Sequence, residues 1–249
     1  MHKMKGIVLA AGRGTRLAEL NLKHKGFARI CKKHVIDYSM DFLTDNKDGP
    51  IVSEIIVVVG YHAEEIMNYI GDSYNGVPVK FVFQHELKGI AHAVMVASDS
   101  LNDDFIMCLA DEIMIHPKLT EMVRCFEESN ADVVCGVVID GSDFSMKPIA
   151  YDVDENGTIT KVTEKPKGYH NDIRGIGECI FKRRTLEYLK TLPPNQIRGE
   201  LEMGDWIQSV IDAGGTAKAF KLADAYVNVN YPKDIETANK LLQDENRLK

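Results

Sequence analysis

The sequence lacks any apolar stretch long enough to cross a membrane near its start. After residues 1–5, only the six apolar or small residues 6–11 precede the polar Gly12-Arg13 turn. A membrane helix needs about 20 apolar residues, and the apolar part of a secretory signal has at least about seven. We therefore expect neither a signal peptide nor a membrane span, and a cytoplasmic protein.

Paired cysteines are also lacking. The five cysteines are scattered, odd in number and without Cys-x-x-Cys spacing: Cys31, Cys108, Cys125, Cys135 and Cys179. A disulfide framework or a zinc site would require paired spacing. Because two of them fall in apolar runs, we expect reduced cysteines that pack in the core.

Positive charge is in deficit, with 30 Lys and Arg against 37 Asp and Glu and a net charge of −7. Such a protein has no general attraction for nucleic acid or an anionic membrane, so we expect neither as a partner. If the protein binds phosphates, a local cluster of cations must do so. The 249 residues, 45% of them hydrophobic, are enough for one large α/β domain with a substantial core.

In the first half, apolar runs alternate with helical patterns. The runs predict buried strands over residues 6–10, 54–60, 79–83, 105–109 and 132–138. Between them, the spacing predicts helices over residues 35–43, 62–70, 89–97 and 117–128. Continuous apolar strands alternating with helices are typical of a mostly parallel sheet covered on both faces.

The second half changes character near residue 140. Asn156-Gly157 lies within residues 151–162 and is a strong signal for a β-hairpin. Further strands are predicted over 178–181 and 216–222, and helices over 184–189, 202–212 and after Pro232. We interpret this half as antiparallel strands inserted onto the same sheet, so residues 1–249 form one domain.

Ligands of an open parallel sheet bind at the carboxyl ends of its strands. The first strand is followed by Ala10-Ala11-Gly12-Arg13-Gly14-Thr15-Arg16, in which small residues let backbone N–H groups approach a polyphosphate and two arginines add charge. The loop lacks the Gly-Lys-Ser/Thr of a Walker A sequence, and Leu17 replaces the third glycine of a dinucleotide fingerprint. Taken alone, the loop fits either an anion site or a tight structural turn.

Two other strands end in polar residues. Asp111 follows the fourth strand, where a carboxylate facing a phosphate loop suits Mg²⁺, although a helix cap or a surface acid is the alternative. Gln84 follows the third strand and offers both a donor and an acceptor to the edge of a base. Gly89, at the start of the next helix, would let a ring lie close to the backbone.

Six segments occur in an order that belongs to one known family. They are residues 6–17, residues 84–93 (with Gln84, Gly89, Ala91, His92 and Ala93), Leu109-Ala110-Asp111, Glu164-Lys165-Pro166, Arg198-Gly199-Glu200-Leu201-Glu202-Met203-Gly204-Asp205 and residues 228–235. Together they closely resemble the signature segments of the sugar-phosphate nucleotidyltransferases, in particular the glucose-1-phosphate thymidylyltransferase branch.

The resemblance implies an α/β fold with a Rossmann-like, mostly parallel sheet, helices on both faces and an inserted antiparallel hairpin region. Residues 1–140 would bind the nucleotide, 141–230 mainly the acceptor substrate, and 231–249 would form a C-terminal helix. It also implies a reaction in which a nucleoside triphosphate and a phosphorylated substrate give an NDP-linked product and pyrophosphate. Mg²⁺ is the implied cofactor and a homo-oligomer the implied assembly.

The resemblance also implies roles for individual residues. Arg16 would hold the β- and γ-phosphates, Lys25 would stabilise the transition state, and Lys165 would hold the incoming phosphate. Nucleotide contacts are expected from Leu9, Ala10, Ala11, Gly12, Arg13, Gly14, Thr15, Gln84, Gly89 and Ala91. Acceptor contacts are expected from Glu164, Gly177, Arg198 and Glu200, and metal contacts from Asp111, Asn228 and Asn230.

Four departures from the family pattern bear on these roles. His24-Lys25 replaces Pro-Lys, and Phe27-Ala28-Arg29-Ile30 replaces Leu-Leu-Pro-Val. Pro148-Ile149-Ala150 replaces Tyr-Gly-Val, which argues for a substrate of different shape. Asn228 replaces the second metal aspartate, and an amide oxygen is a weaker Mg²⁺ ligand than a carboxylate. Asn230 is an alternative ligand.

The leading hypothesis is a nucleotidyltransferase that joins a pyrimidine nucleoside triphosphate to a sugar 1-phosphate. The alternative within the class is a cytidylyltransferase acting on a non-hexose phosphate or phosphonate, which the segment 148–150 favours. A catalytically silent nucleotide-binding homologue would explain Asn228 as a lost ligand. A nicotinamide-dependent reductase is disfavoured, because the third glycine and the acid that binds ribose are missing.

Overall fold

An eight-stranded sheet forms the centre of the structure, a computed structural model that describes residues 3–20, 24–45, 49–139, 149–164, 166, 171–196 and 198–248. From one edge to the other, its strands are β13 (Ala217–Lys221), β9 (Val133–Ile139), β12 (Ile173–Phe181), β7 (Phe105–Leu109), β1 (Met4–Ala10), β4 (Val52–Val59), β6 (Val77–Phe83) and β5 (Ser73–Tyr74).

The strands β7, β1, β4 and β6 are parallel neighbours, as their continuous apolar runs predicted. Successive residues of these strands, such as Ile7 and Val8, belong to two different core clusters, one on each face of the sheet. Because both faces are covered, the runs do not alternate with polar residues. The expected α/β fold with a mostly parallel central part is confirmed.

The strand β12 runs antiparallel to both of its neighbours, β7 and β9, and so inserts into the otherwise parallel order. Sequence reasoning predicted only its last four residues, since Gly175 and Gly177 interrupt the apolar run. A Cβ at Gly175 would lie 2.3 Å from Cγ2 of Ile149. The glycine is therefore a packing requirement within the strand, and not the end of it.

Helices cover both faces of the sheet. On one face lie α1 (Val35–Thr44), α2 (Ala63–Ile70) and α4 (Leu119–Ser129). On the other lie α3 (Ile90–Ala97), α5 (Leu186–Leu189) and α6 (Met203–Asp212). The last helix, α7 (Pro232–Leu248), packs against a smaller cluster with Val227 and Val229. Within the described ranges, none of the helices has the length and apolar character to cross a membrane.

Three short strand pairs lie outside the central sheet. The predicted hairpin is β10 (Ile149–Val153) with β11 (Ile159–Glu164), and its turn residue Gly157 has a φ of 75°. Two pairs were not predicted: β2 (Arg29–Ile30) with β3 (Lys33–His34), and β8 (Glu112–Ile115) with β14 (Ala225–Asn228). Strands this short carry too little pattern to be recognised. The division of the domain into nucleotide and acceptor parts stays a prediction.

Candidate active site

The carboxyl ends of β1, β6 and β7 open onto a cleft of about 260 Å³. It brings together nine of the residues singled out from the sequence: Leu9, Ala11, Gly12, Lys25, Gln84, Gly89, Asp111, Arg198 and Glu200. Its walls also include residues that had no predicted role: Leu87, Ile90, Ala93, Leu109 and Glu202. The cleft therefore joins segments from both halves of the chain.

A second hollow of about 360 Å³ continues from this cleft and shares five lining residues with it: Gly12, Lys25, Leu87, Arg198 and Glu200. Its remaining walls are Arg13, Gly14, Thr15, Arg16, Leu17 and Asn230. Arg13, Arg16, Lys25 and Arg198 give this end four cationic side chains in a protein of net charge −7. This is the local cationic cluster that phosphate binding by an acidic protein requires.

The glycine-rich loop owes its shape to Gly14. This residue has a φ of 62°, and a Cβ there would lie 3.0 Å from Cβ of Lys25. Its carbonyl accepts a hydrogen bond from the Leu17 N–H at 3.0 Å, at the start of the 3₁₀ helix Thr15–Leu20. Gly12 is different, since a Cβ there would meet only Cε of Lys25, at 3.9 Å. Gly12 thus leaves room in the cleft, whereas Gly14 is needed by the turn itself.

Lys25 and Asp111 form an ion pair across the cleft. Lys25 begins the single 3₁₀ turn Lys25–Phe27, and Asp111 lies two residues after the end of β7. The predicted transition-state cation and the predicted metal ligand are therefore in direct contact. A carboxylate that holds one cation at the wall of a cationic cleft is also placed to hold a second one beside a phosphate.

His24, immediately before this lysine, is buried with 1% of its surface exposed. Its Nδ1 accepts a hydrogen bond from the Gly26 N–H at 3.0 Å and so caps the turn that carries Lys25. Burial, and after it the neighbouring Lys25 charge, lowers the pKa of His24 to about 4. The ring is neutral at physiological pH, and the proton is on Nε2 because Nδ1 is an acceptor.

The Gln84 side chain is buried and oriented by two acceptors. Its Nε2 donates to the Gly89 carbonyl at 3.2 Å and to Nδ1 of His92 at 2.9 Å. Burial, followed by the charge of Lys88, lowers the pKa of His92, which favours the neutral ring that this bond needs. Both Nε2 hydrogens are thereby used, so Oε1 remains to accept from a ligand. His92 was part of a recognised segment, but no role had been assigned to it.

Gly89 connects the two sides of the cleft. It has a φ of 102°, and a Cβ there would lie 2.5 Å from the Leu201 carbonyl oxygen. That carbonyl accepts from the Ala91 N–H at 2.9 Å, and the Leu201 N–H donates to the Lys88 carbonyl at 2.7 Å. The glycine is thus required by the close approach of the 198–202 segment, a reason that the sequence pattern did not provide.

The segments predicted to contact the acceptor are rich in carboxylates. Arg198 donates from Nη1 to Glu202 at 2.9 Å and lies 3.2 Å from Oε2 of Glu200. Glu164 ends β11 against the start of α6, where a Cβ at Gly204 would lie 2.6 Å from its Oε2. Glu164 does not line the cleft as described. Lys165, the predicted phosphate ligand, lies outside the described residues, as does Pro148.

Ile149, on which the argument for a different acceptor shape depended, is buried in the core. It packs where a Cβ on Gly175 or Gly204 would stand, at 2.3 and 3.1 Å. It joins the apolar cluster under α3 and α6, and it is not among the residues that line the described cleft.

The metal end, defined by the predicted metal ligands Asp111, Asn228 and Asn230, combines one carboxylate with two amides. Asn228 ends β14 and donates from Nδ2 to Oε1 of Glu112 at 3.1 Å, while its Oδ1 accepts from Asn230. The described residues contain no group of three or more His, Cys, Asp and Glu side chains placed to hold a metal. Asp111 and the amide oxygens are nevertheless hard donors that fit Mg²⁺ when phosphates complete its coordination.

Behind the metal end lies a buried pair of carboxyl groups, Glu112 and Glu178. Burial, and next the charge of Asp111, raises the pKa of Glu112 to about 6. Burial, and next the facing Glu112, raises the pKa of Glu178 well above its ordinary value. The Glu178 oxygens receive no hydrogen bond from any described donor. Because both groups are buried and face each other, the neutral form is favoured in this pair.

Gly177, a predicted acceptor contact, serves this pair. Its N–H donates to Oε2 of Glu112 at 2.8 Å, and a Cβ there would lie 2.4 Å from the Leu109 side chain. The structure thus places Gly177 behind the metal end, and it is not among the residues that line the described cleft.

Comparison with known proteins agrees with this arrangement. The sequence profile of the family described as "Nucleotidyl transferase" matches residues 5–246. The UTP–glucose-1-phosphate uridylyltransferase AglF of Haloferax volcanii is 32% identical over 244 residues, which cover 97% of this chain and 98% of that protein. A glucose-1-phosphate thymidylyltransferase of Streptomyces antibioticus is 26% identical, over 97% of this chain and 67% of its own.

A crystal structure of UDP-glucose pyrophosphorylase complexed with UDP-glucose has a TM-score of 0.83 and 19% identity, covering 98% of this chain and 99% of that one. This likeness concerns the fold alone. From the family profile and the AglF match, the chain belongs to the nucleotidyl transferase family.

Proposed function

We propose that the protein transfers a nucleotidyl group from a pyrimidine nucleoside triphosphate to a sugar 1-phosphate, which gives an NDP-sugar and pyrophosphate. The observation that carries the proposal is the order of groups along one continuous cleft. Gln84 lines one of its two hollows, the arginines of the glycine-rich loop line the other, and Lys25, which is paired with Asp111, lines both.

The chain's own groups are suited to an in-line displacement. An oxygen of the acceptor phosphate attacks the α-phosphorus, and the bond to the bridging oxygen of pyrophosphate breaks. The backbone of Gly12–Gly14 together with Arg13 and Arg16 holds the β- and γ-phosphates and then the leaving pyrophosphate. Lys25, at the junction of the two hollows, neutralises the charge that develops at the α-phosphate.

Mg²⁺ is the implied cofactor. Asp111, with Asn228 or Asn230, would hold it, and it would supply positive charge at the phosphate oxygens when bound. Lys25 already occupies Asp111, so its ammonium and the metal would share one carboxylate. We propose Glu164, Lys165, Arg198 and Glu200 as the residues that contact the acceptor.

The orientation of Gln84 favours uracil or thymine as the base. Its free Oε1 is an acceptor, and the N3–H of uracil or thymine is a donor on the edge of the ring. Cytosine has no hydrogen on N3 and offers only its exocyclic amine to the same atom. The named relatives, a uridylyltransferase and a thymidylyltransferase, are consistent with this choice.

A pyrophosphate-release screen tests the proposal. UTP, dTTP, CTP, ATP and GTP would each be combined with a panel of sugar 1-phosphates, polyol phosphates and phosphonates, with Mg²⁺ present. We expect turnover with UTP or dTTP and a hexose 1-phosphate. Turnover confined to CTP and a non-hexose acceptor would establish the alternative. Nucleotide-dependent thermal stabilisation without turnover of any pair would contradict an enzymatic role.

A further inference from the structure

Glu112 is a buried acceptor at the centre of the metal end. It lies directly opposite Asn228 in the antiparallel pair of β8 and β14, and 2% of its surface is exposed. Its Oε1 accepts from the Tyr226 hydroxyl at 2.6 Å and from Nδ2 of Asn228 at 3.1 Å, and its Oε2 accepts from the Gly177 N–H at 2.8 Å. Every one of these partners is a donor, as a carboxylate requires.

This arrangement fixes which end of the Asn228 amide faces which way. An amide has one donor end and one acceptor end, and Glu112 engages the donor end. The acceptor end, Oδ1, is consequently directed to Asn230, a residue that lines the phosphate end of the cleft. Glu112 thus directs the oxygen that suits a metal toward Asn230, although neither Glu112 nor Asn228 is among the residues that line the two hollows.

We propose that Glu112 is a positioning residue that requires an amide, and excludes a carboxylate, at position 228. The inference rests on the proposed metal role of Asn228. A carboxylate at position 228 would bring two acceptor-only groups to hydrogen-bond distance. Asparagine in place of the family's aspartate is then a replacement that the buried Glu112 demands, and not the loss of a ligand.

The carboxylate at position 112 and the amide at position 228 can be exchanged to test this requirement. In Glu112→Gln, the new amide oxygen keeps the bond from Gly177, and the new amide nitrogen faces the Asn228 nitrogen, so one of the two amides must turn. In Asn228→Asp, two carboxylates face each other. In the double variant Glu112→Gln/Asn228→Asp, one donor again faces one acceptor, with the direction of the bond reversed.

Two measurements on the full chain read out the coupling without turnover. The first is the thermal midpoint in metal-free buffer, which each single substitution should lower by about 5 °C, with most of the loss recovered in the double variant. The second is Mn²⁺ affinity, measured with the metal alone by electron paramagnetic resonance. Glu112→Gln should weaken it about tenfold, as substitutions behind a ligand do, and the double variant should restore it.

The matched control is Glu178→Gln, which alters the other buried carboxyl, whose oxygens receive no hydrogen bond from Asn228 or another described donor. Combined with Asn228→Asp, it should rescue neither measurement. Should Asn228→Asp alone fail to accumulate as folded protein, a folded double variant would support the proposal and an unfolded one would overturn it.

The proposal is also overturned if Asn228→Asp alone tightens Mn²⁺ binding at an unchanged midpoint, or if the effects of the two substitutions simply add. Neither readout depends on which substrates are turned over. A failed substrate screen would therefore leave the coupling measurable, and additive effects would leave the proposed nucleotidyl transfer intact.

Discussion

The two ends of the cleft are built by different means. At the end predicted to bind the nucleotide, the glycine-rich loop, four cationic side chains and the neutral Gln84 line the two hollows. At the end that holds the predicted metal ligands, Asp111 is paired with Lys25, and the buried Glu112 accepts from the Asn228 amide, with the carboxyl of Glu178 behind it. The first end depends on the shape of the loop as well as on charge, whereas the second depends on buried charges that hold one another.

This difference predicts how each end responds to substitution. A glycine-rich loop tolerates a change wherever the added atoms have room, whereas removal of one member of a buried charge pair leaves its partner uncompensated. Substitution should therefore have its largest effect at Asp111 and Lys25 and its smallest effect at the residues that orient Gln84.

Asp111→Ala should give the largest loss, about a thousandfold in kcat, since it removes both the proposed metal ligand and the partner of Lys25. Steady-state rates with the best substrate pair would measure it, and the circular dichroism spectrum would verify the fold. Glu200→Ala is a matched control with a smaller expected loss, because Glu200 lines the same cleft but is paired with Arg198 and not with Lys25. Retention of more than a tenth of the rate would refute the role of Asp111.

Lys25→Ala should lower kcat about a hundredfold, which corresponds to roughly 3 kcal/mol of transition-state stabilisation, with little change in KM. Lys33→Ala, which removes an exposed lysine paired with Asp41, should leave the rate unchanged. If Lys25→Ala instead raises KM at constant kcat, the lysine binds the ground state and the transition-state assignment is wrong.

The sequence predicted which residues gather around the cleft better than it predicted the buried contacts behind Asp111, and the reason is physical. The buried strands and the glycine-rich loop depend on local patterns, so residues such as Leu9, Gly12 and Gln84 could be placed from the order of segments. The contact of Glu112 with Asn228 depends on the pairing of β8 with β14, and the two residues are 116 positions apart in the chain. Strands of four residues carry no periodic signal that announces such a pairing.

Other contacts escaped prediction for the same reason. The hydrogen bond between Gln84 and His92 forms only because the chain turns at Gly89 between them. The packing of Gly89 against Leu201 joins segments from the two halves of the chain. The roles of Gly177 and Ile149 were inferred from the family pattern. In the structure, Gly177 donates to the buried Glu112, and Ile149 packs against the buried Gly175.

His24 caps the turn that carries Lys25, and its pKa predicts a dependence of stability on pH. The folded-state pKa is about 4 and the ordinary value is 6.5, so the unfolded chain takes up the proton first as the pH falls. The contribution of the neutral His24 to the free energy of unfolding is therefore complete above pH 6.5. It is lost between pH 6.5 and 4, at about 1.4 kcal/mol per pH unit in this window.

Denaturant unfolding of the protein and of His24→Gln, at several pH values, would measure this dependence. Glutamine can still accept from the Gly26 N–H but does not titrate, and both proteins share the carboxyls Glu112 and Glu178, so their difference isolates the histidine. The free energy of unfolding of the wild type, relative to that of the variant, should decrease as the pH falls below 6.5. Parallel stability curves over this range would contradict a buried neutral His24.

The smallest effect is expected at the base end, in the preference among nucleotides. His92→Leu removes the acceptor that holds Nε2 of Gln84, so the amide can turn and offer its nitrogen to the base. Discrimination between UTP and CTP, measured as the ratio of kcat/KM values, should fall about tenfold, or roughly 1.4 kcal/mol. His92→Gln keeps an acceptor oxygen within reach and should preserve most of the preference. An equal loss of kcat/KM with both nucleotides would indicate a packing role for His92, because a general loosening of the cleft does not distinguish the two bases.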